Sequence, residues 1–103
     1  NLDTYIRTNE ELAYPVSGKS IRLEALFDAR TAVHLGERPL SKDQRMVPQK
    51  DGRVLLQATV RDTLELRWWL LGFGDKMEVL GPKALREEFA AITQDMADFY
   101  RTV

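Results

Sequence analysis

The chain has 103 residues, 44% of them hydrophobic and 30% charged, with a net charge of −1. That composition fits one soluble, globular domain of ordinary size and excludes a disordered tail or a strongly basic polyanion binder. Cysteine is absent and there is one histidine, which rules out a disulfide framework and a thiolate zinc site and fits a cytoplasmic setting.

Residues 1–18 are polar, with Leu2, Tyr5, Ile6 and Leu12 as scattered anchors, and end at Tyr14-Pro15-Val16-Ser17-Gly18. Leu2, Tyr5 and Ile6 have helical spacing, so a short docking turn is expected before the Pro and Gly mark a boundary. The start reads as the continuation of a longer chain, without a signal peptide. From 19 to 28 the residues alternate, Ile21, Leu23, Ala25 and Phe27 against Arg22, Glu24, Leu26 and Asp28. This is the pattern of a half-buried strand. Ala29–Leu35 follows as a short helix capped by Asp28 and stopped by Gly36 and Pro39.

Gln44–Gln49 reads as a weak strand, placed at the sheet edge because Pro48 lacks a ladder donor. Lys50-Asp51-Gly52-Arg53 is a hairpin turn, Asp-Gly supplying the positive φ that such turns require. Val54–Arg61 is the next strand, with Leu56, Ala58 and Val60 on one side. Asp62-Thr63-Leu64-Glu65 has capping-box spacing, so Asp62 is expected to cap a helix running to Leu71. Asp75–Leu80 supplies the last strand. Gly81-Pro82 then opens a long helix in which Leu85, Phe89, Ile92, Met96 and Phe99 form an apolar stripe.

The order strand, helix, strand, strand, helix, strand and extra helix predicts an α+β fold. It is a ferredoxin-like βαββαβ antiparallel sheet with an additional C-terminal helix. Right-handed crossovers place both internal helices on one face and leave the other open. That open face carries no aromatic residue among Arg22, Glu24, Leu26, Leu55, Gln57 and Thr59, which argues against a base-stacking RNA platform.

The run from Asp62 to Pro82, with Trp69-Leu70-Leu71-Gly72-Phe73-Gly74 leading into Glu78-Val79-Leu80-Gly81-Pro82 and then Leu85-Arg86, resembles a known family. It is similar to the C-terminal extension (WCX) domain that follows the WYL domain in bacterial transcriptional regulators. The likeness extends to the Gln44–Gly52 hairpin and the Leu2-Asp3…Tyr5 start. It implies residues 1–18 as a link from a preceding WYL domain and 19–103 as the extension domain. It further implies a regulatory and effector-sensing role, a homodimer, a winged helix-turn-helix elsewhere in the parent protein, and a nucleic-acid ligand bound through that parent. The motif residues themselves have structural readings: Trp69, Leu70 and Phe73 as filling between helix and sheet, and Gly72 or Gly74 as a left-handed exit.

Residues 30–53 carry Arg30, Arg38, Lys42, Arg45, Lys50 and Arg53 against Glu37, Asp43 and Asp51. Arg30, Arg38, Arg45 and Arg53 are the candidate phosphate contacts. Trp68, Phe89, Met96 and Tyr100 are the candidate interface residues. The alternative is a small-molecule site near Trp68 and Arg67. No catalytic group is expected, because His34 lacks a nucleophile partner. Glu87-Glu88 reads as a solvated face, since neighbouring helix positions diverge by about 100°. No metal and no cofactor are expected.

Overall fold

The computed structural model describes residues 16–101. The elements are β1 (Ser20–Phe27), α1 (Ala29–Glu37), β2 (Arg45–Pro48), β3 (Val54–Arg61), α2 (Leu64–Leu71), a 3₁₀ turn (Gly74–Lys76), β4 (Met77–Gly81) and α3 (Lys83–Phe99). The strands form one antiparallel sheet in the order β2-β3-β1-β4. This is the split βαβ arrangement expected from the element order, with the extra helix at the end. The docking turn expected near Leu2–Ile6 lies outside the described residues.

The alternation in β1 sets the core. Leu23, Ala25 and Phe27 are fully buried, as are Leu56 and Ala58 of β3. The register pairs Leu23 with Ala58 and Ala25 with Leu56, so at the centre of the pair a large side chain faces a small one. That pairing leaves a close-packed surface on which the helices can settle. They supply Ala32 and Leu35 from α1, Leu66 and Leu70 from α2, and Leu85 and Phe89 from α3. All three helices therefore bury a face against the same side of the sheet.

Local signals mostly act as expected. Asp28 caps α1, its carboxylate accepting from the Thr31 amide at 2.8 Å. The helix runs past the expected stop to Glu37, because the Arg38 amide still reaches the His34 carbonyl. Pro48 ends the edge strand β2. In the hairpin, only Gly52 takes a positive φ, of 91°. Gln49 donates its amide to the Arg53 carbonyl at 2.8 Å, and Gly52 to Gln49 at 3.1 Å. The loop is thus three residues closed by a left-handed Gly rather than a two-residue Asp-Gly turn. Gly74, with φ of 58°, makes the exit from α2.

Two expectations fail. Thr63, not Asp62, caps α2, its hydroxyl accepting from the Leu66 amide at 3.1 Å. Asp62 is turned inward instead, toward a buried guanidinium. The outward face is also less open than expected, because Leu26 is only 8% exposed. Leu26 pairs with Leu55 on one side and Glu78 on the other. An ion pair between Arg53 and Glu78, at 2.8 Å, crosses β1 beside it.

Candidate functional site

The sheet separates the four candidate arginines. Arg30 and Arg38 lie on α1 and at its C-cap, on the helix-bearing side. Arg45 pairs with Gln57, and Arg53 precedes Val54, so both belong to the outward face. Arg30, Arg38 and Arg45 are exposed and make no ion pair among the described residues. Arg53 is held twice, by Asp51 and by Glu78, each at 2.8 Å. Glu78 also accepts from Arg86 at 2.9 Å. The guanidinium of Arg53, then that of Arg86, hold the Glu78 carboxyl below its ordinary range. Arg53 is accordingly an internal strap across the outward face rather than a vacant cation.

A carboxylate network missed by sequence reasoning organises the far end of that face. β2 starts at Arg45, so beyond Gln57 β3 has β1 on one side but no strand on the other. Asp43 takes over: its carboxylate accepts the Thr59 amide at 3.0 Å and the Thr59 hydroxyl at 2.5 Å. Ser41 and Arg22 add further donors at 2.5 Å and 2.8 Å. Hydrogen bonds from Ser41 and Thr59, with the charge of Arg22, hold Asp43 well below the usual carboxylate range. A short polar side chain thus replaces the missing ladder and ties the α1–β2 loop to the sheet.

Three of the four candidate interface residues, Phe89, Met96 and Tyr100, lie on α3 or at its C-cap. At 17 residues this helix is about 25 Å long, whereas five-residue β4 spans about 16 Å. The helix packs against β4 and is the longer of the two. Leu85, Phe89 and Ile92 are buried, but Met96 is 44%, Phe99 80% and Tyr100 83% exposed. Phe89 therefore belongs to this chain's own core and also lines a groove. That groove, of about 530 Å³, lies between α3 and the free edge of β4. Met77, Val79 and Leu71 line one wall, Phe89, Ala90 and Met96 the other. Arg86 closes one end, donating to the Val79 carbonyl at 2.7 Å, which blunts the strand edge. Trp68, 43% exposed, stands on the outer side of α2 and is not among the groove's lining residues.

Arg67 is not exposed beside Trp68. It is buried, donating through Nε and Nη2 to both oxygens of Glu88 at 2.5 and 2.9 Å, and through Nη1 to Asp62 at 2.7 Å. Glu88 is 3% exposed, which overturns its reading as part of a solvated face; only Glu87 is on that face. At the small-molecule site expected near Trp68 and Arg67, the guanidinium is already engaged by the two carboxylates. Burial pushes the Asp62 carboxyl up, but Arg67 and Ser17 more than offset it and hold it below its ordinary value. A signal existed in the sequence: Glu88 falls inside the stripe formed by Leu85, Phe89 and Ile92, three after the first and four before the last.

Among the described residues no group of His, Asp and Glu is placed to hold a metal ion. No described helix is long and apolar enough to cross a membrane. A protein-family model described as the WCX domain matches residues 19–97, well over half the chain. No curated protein matches it.

Proposed function

The chain belongs to the WCX domain family, and from that premise we propose that it is the regulatory, non-catalytic end of a WYL-type transcriptional regulator. It works by association with a second copy of itself through α3. The observation that carries this reading is the exposed distal end of α3, with Phe99 80% and Met96 44% exposed beside the apolar groove. One helix thus carries both a projecting aromatic and a groove. A two-fold partner offers its projection to the groove and its groove to the projection, which is what an isologous contact requires. Burying Phe99 between subunits removes a large apolar surface from water, worth about 1.5–3 kcal/mol per side chain. The parent protein, on this reading, is cytoplasmic and adds the WYL and winged helix-turn-helix domains.

Sedimentation equilibrium of the chain tests this. The expected result is concentration-dependent dimerisation, weakened at least tenfold by Phe99→Ser, whose exposed position spares the fold. A chain that stays monomeric at high concentration, or a Phe99→Ser variant that dimerises unchanged, overturns the assignment.

A second role, contact with a nucleic-acid ligand, is supported by three exposed arginines without ion-pair partners among the described residues, Arg30, Arg38 and Arg45. Any phosphate contact falls to these rather than to Arg53, whose charge Asp51 and Glu78 already balance. In anisotropy titrations with a labelled short single strand, Arg45→Ala or an Arg30→Ala/Arg38→Ala pair lowers affinity, and Arg53→Ala does not. The losing variant identifies the side of the sheet that is used. Affinity insensitive to salt and to all of these changes removes the nucleic-acid role.

A further inference from the structure

One cluster, buried at Asp62, Arg67 and Glu88, joins the segment that leads into β1 with the helix that carries the exposed surface. Ser17 donates its amide to Asp62 Oδ2 at 3.1 Å and its hydroxyl to the same oxygen at 2.8 Å. The other oxygen of Asp62 accepts from Arg67, and Arg67 is bidentate on Glu88 in the first half of α3. The side chains of Arg67 and Glu88 are 4% exposed and that of Asp62 12%. The line Ser17–Asp62–Arg67–Glu88 therefore runs from an exposed residue ahead of β1 into the interior and on to α3.

The supply of donors in this line is limited. Two carboxylates share one guanidinium, so the cluster holds an excess negative charge in a place with little water. Arg67 spends Nε and Nη2 on Glu88 and Nη1 on Asp62 and the Thr63 carbonyl. Ser17 makes up part of the shortfall at Asp62. If Ser17 withdraws, Asp62 draws harder on Arg67, and each shift of the guanidinium toward Asp62 comes off Glu88. We infer that the cluster is a latch through which the position of the chain at Ser17 sets the hold on α3. Its use as a regulatory link rests on the reading of α3 as the association surface; the coupling itself does not. Because coupling free energies are reciprocal, loosening Glu88 must loosen Ser17 as well.

Native-state amide hydrogen exchange on this chain tests the latch. Ser17→Ala is expected to speed exchange of the α3 amides around Glu88 by about tenfold, the scale of a lost hydrogen bond to a charged group. The Leu56 and Ala58 amides of β3 change less. Glu88→Gln should in turn speed exchange of the Ser17 amide. Asp28→Ala, which removes the α1 cap, controls for general destabilisation. If that control moves α3 as much as Ser17→Ala does, or Ser17→Ala leaves α3 unmoved, the latch is overturned. Sedimentation of the same samples separates the two readings. Loosening of α3 in a chain that never dimerises keeps the latch and discards the association surface, and a dimer without coupling does the reverse.

Discussion

Replacing Arg67 by alanine is expected to destabilise the domain by about 3–5 kcal/mol, because it leaves two buried carboxylates without their cation. A domain of this size has about 5–15 kcal/mol to lose, so the variant is marginal or unfolded at neutral pH. Urea unfolding followed by circular dichroism measures the loss. The pH dependence identifies its cause. In the native chain Asp62 is held below its ordinary value, so its contribution is present above the unfolded carboxylate range, about pH 4, and fades as pH falls through the lower folded value. Without Arg67, the burial that pushes the Asp62 carboxyl up is opposed only by the hydrogen bonds from Ser17. The penalty on ionised Asp62 is then greatest at neutral pH and relieved as it takes up a proton in acid. The gap between the two proteins should therefore narrow from pH 7 toward pH 4. A loss under about 1 kcal/mol, or one that does not vary with pH, contradicts this account of the cluster.

The contrast between what sequence revealed and what it hid follows from range. The strand alternation around Leu23, Ala25 and Phe27 and the Asp28 cap are short-range patterns, and both act where the residues place them. The stop at Gly72 and the Gly52 turn are equally local. The Arg67 cluster is not: its hydrogen bonds join residues 21 and 45 positions apart. The α2 sequence, Leu-Glu-Leu-Arg-Trp-Trp-Leu-Leu, is apolar on nearly every side, so periodicity could not say which face turns inward. The outcome inverts simple hydropathy, with Trp68 outside and Arg67 inside. Likewise, the basic segment 30–53 is continuous along the chain but passes from the helix layer to the outward strand face. A strip read from sequence becomes two separate sets of charges, and one member, Arg53, is consumed by its neighbours.

Phe27→Ala should cost a similar amount, about 3–5 kcal/mol, by a different mechanism. Phe27 is fully buried at the end of β1. Its ring meets Phe73 edge-on, 5.1 Å between centroids at 86°, and Trp69 at 6.4 Å. Trp69 and Phe73 are themselves 4.8 Å apart at 89°. Such edge-to-face pairs add about 0.5–1.5 kcal/mol to the area they bury. This triad is where the Trp-Leu-Leu-Gly-Phe-Gly run grips the sheet, so removing Phe27 opens a cavity beneath the most distinctive stretch of the sequence. The reporter is built in, once exposed Trp68 is replaced by Phe to leave Trp69 alone. Trp69 emission should shift to the red when Phe27→Ala is added, as water or mobile side chains reach its ring. Phe27→Leu, which refills much of the volume, should lose under about 1.5 kcal/mol. Unlike the Arg67 loss, neither cost depends on a titrating group, so both should persist unchanged from pH 7 to pH 4. A Phe27→Ala loss below about 1 kcal/mol, or a Trp69 spectrum left in place, means that helix α2 is held by its aliphatic residues Leu66 and Leu70 and not by the aromatic triad.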